Sequence, residues 1–121
     1  MADLVVRTNK KGRGLYANRA FRPGEVIAED PVLIFPSGEA TGRSVVHKYT
    51  FEWADEDTSA LALGLGSLIN HSYEPNAVYS FLWRQKRIRF VARRAIRKGE
   101  EILMNYNGDP EATERVGFKV R

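Results

Sequence analysis

Short apolar runs, each cut off by glycine, proline or a polar cluster, dominate this sequence and leave little room for long helices. Leu4 to Arg7 is the first such run. Gly12 and Gly14 mark a tight turn, and Leu15 to Ala17 is again strand-like. Arg22-Pro23-Gly24-Glu25 has the residue order of a turn. Glu25 to Phe35 is rich in Val, Ile, Leu and Phe and reads as a strand, broken or bulged at Pro31. Gly38 to Arg43 is a loop, and Val45 to Trp53 suits a short helix or a strand. Asp55-Glu56-Asp57-Thr58 is placed to cap a short helix over Ser59 to Leu63, which Gly64 and Gly66 would end. Val78 to Trp83 and Arg87 to Ala92 form a hairpin turning near Gln85-Lys86, with Ile88, Phe90 and Ala92 on its buried face. Lys98-Gly99-Glu100 is a turn, Ile102 to Tyr106 a final strand, and the remainder an irregular tail. The expectation is a mainly β fold of several small sheets with little helix, in one domain over 1–121.

Composition narrows the chemistry. With 121 residues, 43% of them apolar, the chain can bury a core but has no room for a second domain. No apolar run approaches the roughly 20 residues of a membrane span, and Met-Ala-Asp-Leu-Val-Val-Arg lacks a signal-peptide pattern. A cytoplasmic protein is expected, with nucleoid or nuclear association open. Cysteine is absent, which removes disulfides and cysteine-ligated zinc or iron-sulfur sites. His47 and His71 are the only two histidines, so no conventional transition-metal site is expected, though carboxylates could still hold a hard cation. The net charge is +4. Basic residues gather at Lys10, Lys11 and Arg13, and at Arg84, Lys86, Arg87, Arg89, Arg93, Arg94, Arg97 and Lys98. Such a run is either a solvated face or a surface for nucleic acid.

Three segments carry candidate chemistry. Lys11-Gly12-Arg13-Gly14-Leu15-Tyr16-Ala17 holds two glycines that let backbone approach a ligand closely. Leu68-Ile69-Asn70-His71-Ser72-Tyr73-Glu74-Pro75-Asn76 ends an apolar run with donors, acceptors and a fixed bend. It either satisfies its own backbone or holds a polar ligand through Asn70 and His71. Gly99-Glu100-Glu101-Ile102-Leu103-Met104-Asn105-Tyr106 ends on a phenol, which near its ordinary pKa of about 10 stays neutral, both donor and acceptor.

In order and spacing these segments resemble the SET-domain family of protein-lysine methyltransferases. The matching elements are Gly-x-Gly before an aromatic, Asn-His-Ser-x-x-Pro-Asn, and Glu-apolar-x-x-x-Tyr. Phe21-Arg22-Pro23-Gly24-Glu25-Val26-Ile27 also resembles that family's Phe-x-x-Gly-Glu-Val-Ile turn. Ala62-Leu63-Gly64-Leu65-Gly66 before the Asn-His motif, and the length, are similar to stand-alone bacterial and viral members. The resemblance implies a β-clip fold with a C-terminal pseudoknot, S-adenosylmethionine as cofactor, and a protein lysine as substrate, of a histone or histone-like protein.

It implies roles as well. Arg13, Gly14, Tyr16, Asn70, His71 and Tyr106 would surround the cofactor, and Phe118 would cover its adenine from the tail. Tyr106 would be catalytic, at the inner end of a lysine channel walled by Tyr49 and Tyr79. Met104 stands where the family often has Phe or Tyr, which makes room for more than one methyl, whereas Tyr79 restricts it. Asn105 replaces the usual acidic residue before the tyrosine, and no pre-SET or cysteine-rich zinc segment is present. The tail 107–121 or a second copy in a homodimer would then complete the channel. Asp55, Glu56, Asp57, Glu111 and Glu114 are the acids that could greet a basic substrate tail. The alternatives are a non-catalytic β-clip module binding nucleic acid, sugar or protein, and a cofactor-binding pseudoenzyme. The module gives no reason for Asn70, His71 and Tyr106 to occur together.

Overall fold

The computed structural model describes residues 2–10, 12–40 and 43–106. Phe118, Glu111 and Glu114 lie outside the described residues. The described residues form nine strands and three single-turn 3-10 helices, at Ser37–Glu39, His47–Tyr49 and Leu65–Leu68.

Strands β1 (Leu4–Asn9) and β2 (Gly12–Ala17) make an antiparallel hairpin in which Asn9 faces Gly12. The turn therefore lies before Gly12, and Gly14 sits inside the strand rather than in the turn expected of it. The central sheet has the order β4-β5-β3-β8-β7, all antiparallel. Its members are β3 (Val26–Pro36), β4 (Thr50–Trp53), β5 (Asp55–Ala62), β7 (Ala77–Leu82) and β8 (Arg87–Ala92).

Strand β3 joins two ladders. Val26 to Pro31 pair with β8, and Val32 to Pro36 pair with β5. The sequence places an irregularity at Pro31, but the register shift falls between Val26 and Ala28. Pro31 is the last residue paired with β8, so its missing N–H falls where one ladder ends and the other begins.

The helix expected over Ser59 to Leu63 does not form; Asp55 to Ala62 is strand β5. Serine, alanine and leucine have no strong strand preference, but β5 lies between β3 and β4 and is paired on both sides. Sheet context decides such a segment. Over Val45 to Trp53 both options occur in succession, a 3-10 turn at His47–Tyr49 and then β4.

The sheet curls until its two edges meet. Phe51 of β4 packs 4.9 Å from Tyr79 of β7, and Trp53 packs 5.1 Å from Phe81. Beneath this aromatic seam Ile88 and Phe90 are fully buried and Ala92 nearly so, the face that strand alternation indicated. Each large side chain there contributes roughly 1.5–3 kcal/mol through burial.

The final strand is shorter than expected. Strand β9 is only Leu103–Met104, and it runs parallel to β6 (Asn70–His71). Asn76 fastens the two segments side to side. Its Nδ2 donates to the Glu101 carbonyl at 2.8 Å, and its Oδ1 accepts from the Leu103 N–H at 2.8 Å. Ser72 N–H also donates to the Met104 carbonyl. These bonds hold the C-terminal segment against loop 70–76, the contact that the expected pseudoknot requires.

Candidate active site

Segments far apart in sequence converge on Asn70. Its Nδ2 donates to the Arg13 carbonyl at 2.9 Å and to Glu101 Oε2 at 2.8 Å. One amide thus ties the Gly-x-Gly strand, the Asn-His loop and the Glu-x-x-x-x-Tyr segment together. Backbone bonds reinforce the junction, with Ile102 N–H on the Leu15 carbonyl and Ala17 N–H on the Glu100 carbonyl.

Gly14 is needed there for space. A β-carbon would lie 2.6 Å from Glu101 Oε2, 2.7 Å from Asn9 Nδ2 and 3.2 Å from Asn70 Nδ2. No side chain fits between those polar groups.

Beside this junction opens a cavity of about 370 Å³. Thr8, Gly12 and Arg13 of the hairpin form one wall, Ser67 to Asn70 the second, and the rings of Tyr49 and Tyr106 complete it. The volume lies in the usual range of about 300–1,000 Å³ for small-molecule sites.

Tyr106 is held from three directions. Its hydroxyl donates to the Ile69 carbonyl at 2.7 Å. Its backbone N–H donates to His71 Nδ1 at 3.0 Å. Its carbonyl accepts the Tyr79 hydroxyl at 3.3 Å. A ring nitrogen that accepts an N–H carries no proton, which places the proton of a neutral His71 on Nε2. The His71 ring is 4% exposed and stacks edge-on to Tyr106 at 5.1 Å.

Tyr79 sits against Phe51 and Phe90, and its burial pushes the phenol up to about 12. It is therefore a donor at every physiological pH.

The structure brings Arg13, Tyr49, Asn70 and Tyr106 to the cavity. Gly14 and His71 back it, the first against Asn70 and Glu101 and the second against Tyr106. Tyr49, expected beside Tyr79, lines the cavity with Arg13 and Asn70. Tyr16 makes other contacts: its hydroxyl accepts from Asn9 Nδ2 at 2.8 Å, and Arg7 lies over its ring. Tyr79 and Met104 are not lining residues; Met104 is 4% exposed and packs in the core. The sequence reading held Glu101 only as the first residue of the Glu-apolar-x-x-x-Tyr motif and gave it no role in the site. The signal available was a second acid directly after the Lys98-Gly99-Glu100 turn, beginning an otherwise apolar segment.

The SET domain model matches residues 12–107. The chain belongs to the SET domain family. A relative from Schizosaccharomyces pombe, a histone-lysine N-methyltransferase specific for H3 lysine-37, is 34% identical over 109 residues, 87% of this chain and 74% of that protein. An Emericella nidulans histone-lysine N-methyltransferase specific for H3 lysine-36 is 35% identical over 97% of this chain. This SET domain spans only 14% of the Emericella protein. Among solved structures, an active polycomb repressive complex 2 in its basal state superposes with a TM-score of 0.74 at 25% identity, over 88% of this chain and 15% of that one. The Chaetomium thermophilum complex bound to S-adenosylmethionine gives 0.71 at 23% identity, over 85% and 15%, and attests the fold. Among the described residues, no helix of this SET domain is long and apolar enough to cross a membrane.

Proposed function

We propose that this SET domain methylates the side-chain amine of a protein lysine, using S-adenosylmethionine, and that its substrate is a histone or histone-like tail. The observation that carries the reading is the cavity in which Arg13, Asn70 and Tyr106 meet.

The lining suits that cofactor. Gly12 and Arg13, Asn70, and the hydroxyl-bearing Thr8 and Ser67 offer polar partners, while Leu68 offers apolar surface. An adenosine joined to an amino acid needs both kinds. When bound, it supplies a sulfonium-activated methyl group for in-line transfer to nitrogen.

The residues of the chain do the rest. The proton of Tyr106 is committed to the Ile69 carbonyl, so toward an incoming amine its oxygen acts as an acceptor. The bonds from Tyr106 to His71 and Tyr79 fix its backbone, so the hydroxyl is placed before substrate arrives. A lysine amine, with an ordinary pKa of about 10.4, must lose its proton first. An apolar surround disfavours the ammonium and lowers that pKa without a dedicated base. Alignment and desolvation then supply the catalysis.

For the substrate, the support is the names of the curated relatives together with exposed Asp55, Glu56 and Asp57 at the start of β5. The same relatives favour a place at chromatin, where exposed Arg84, Lys86, Arg93, Arg97 and Lys98 would meet nucleic acid. A second copy of the chain is the proposed partner that closes the lysine channel.

Titration calorimetry with S-adenosylmethionine, followed by labelled methyl transfer to histones and to whole lysate, tests the reading. Heat on titration and label in histone are expected. No heat at high micromolar cofactor would overturn the enzyme; label confined to another protein would overturn the substrate.

A further inference from the structure

The segment Gly64-Leu65-Gly66-Ser67-Leu68 leads directly into Ile69 and Asn70, and its last residues wall the cavity. Its own backbone bonds are long: the Ser67 and Ile69 N–H groups reach the Gly64 and Gly66 carbonyls at 3.2 Å, while Ser67 Oγ donates to the Gly64 carbonyl at 2.7 Å. Two buried side chains from other strands pack beneath it.

Phe90 of β8 lies under Gly66, where a β-carbon would come within 2.1 Å of the ring. Asp30 of β3 lies under Gly64, where a β-carbon would come within 2.4 Å of Oδ1. Asp30 is 3% exposed. The backbone N–H groups of Gly66 and Ser67 lie near enough to its carboxyl to draw its pKa down, and its Oδ2 has no hydrogen-bond partner among the described residues. A carboxyl in the interior is costly unless it serves its partners.

We propose that Asp30 is a positioning residue for the cofactor cavity: through the Gly66 and Ser67 amides it fixes the turn that sets Ile69 and Asn70. The idea rests on the S-adenosylmethionine reading of the cavity. It explains two features at once, namely the buried acid and the glycine at 64. Asp30 reaches the cavity only through the backbone it holds. The Ile69 carbonyl that anchors the Tyr106 hydroxyl is three residues beyond Gly66, so the same seat also orients the phenol. Burial raises the Asp30 pKa, against the two amides and the charge of Arg87, which lower it. The acceptor at Oδ1 matters more than the charge, and an asparagine supplies one.

The test compares Asp30→Ala, Asp30→Asn and the double variant Asp30→Ala/Gly64→Ala, which refills the space. In Asp30→Ala, the KM for S-adenosylmethionine and its calorimetric Kd should rise about tenfold, with the KM for a histone peptide changed less than about threefold. Asp30→Asn should restore both to within about threefold of the parent chain. Hydrogen exchange at the Gly66 and Ser67 amides should accelerate in Asp30→Ala and not in Asp30→Asn. Should Asp30→Ala not fold, Asp30→Asn and Gly64→Ala carry the comparison, since the added methyl presses on Oδ1 with the acid intact. Unchanged cofactor affinity and unchanged exchange in Asp30→Ala or Gly64→Ala overturn the proposal. An equal loss of affinity in Asp30→Asn also overturns it. If the parent chain takes up no cofactor while exchange responds as stated, the functional reading fails and the seating of the turn stands.

Discussion

The Tyr106 hydroxyl gives its hydrogen to the Ile69 carbonyl across 2.7 Å, and so joins the segment that follows β9 to the loop that leads into the Asn-His motif. A phenol tethered in this way cannot wander, and its oxygen presents lone pairs in a fixed direction.

Replacing Tyr106 by Phe removes the oxygen and keeps the ring. Turnover should fall about a hundredfold while the cofactor Kd changes less than about threefold. Steady-state methyl transfer with parallel calorimetry measures both. Unchanged product formation would remove Tyr106 from the reacting centre.

Gly14→Ala should be more damaging than a methyl group ordinarily is in a strand. The new carbon meets Glu101 Oε2 and Asn9 Nδ2 inside 2.8 Å, and neither is a loose chain end, because Glu101 is bonded to Asn70. A stability loss of about 1–3 kcal/mol is expected by denaturant titration, together with weakened cofactor binding.

Asn76→Ala removes a donor and an acceptor from a residue 2% exposed and strands the Leu103 N–H and the Glu101 carbonyl. Each group costs about 1–3 kcal/mol when buried without a partner, so the chain should lose about 2–4 kcal/mol in chemical denaturation. Asn76→Asp keeps the acceptor for Leu103 and should lose less.

Tyr79 should resist ionisation, since burial carries its phenol to about 12. A raised folded-state pKa stabilises the fold fully below the unfolded value of about 10, and that stability is lost as pH rises through about 12. Phenolate absorbance should show a late-titrating step that Tyr79→Phe removes. If Tyr79 also limits methylation, the same variant shifts the product toward higher methylation states by mass spectrometry.

The hairpin of β7 and β8 was legible in the sequence because alternation with charged outer residues fixes register and face together. The Pro23-Gly24 turn was legible because backbone preference alone builds it, with Glu25 N–H bonded to the Arg22 carbonyl. The run from Asp55 to Ala62 was not legible. Its acids imitate a helix cap, and only pairing with both β3 and β4 makes it a strand. At the candidate site the motif residues Arg13, Asn70 and Tyr106 could be named in advance, but Glu101 and Asp30 could not. Their roles come from neighbours 31 and more than 30 positions away, Asn70 for one and the Gly66 and Ser67 amides for the other.

By itself the sequence determined most of the short extended segments apart from Asp55 to Ala62, the Pro23-Gly24 turn, and which residue types are available for chemistry, because these follow from local backbone preference and side-chain type. Tertiary structure alone decided that a parallel pair of two-residue strands would bring Asn70 beside Glu101 and lock Tyr106 over Ile69. It also decided that a buried aspartate would seat the intervening turn. Hydrogen bonds between distant segments have no local signature, since each partner is specified only by where the fold carries the other.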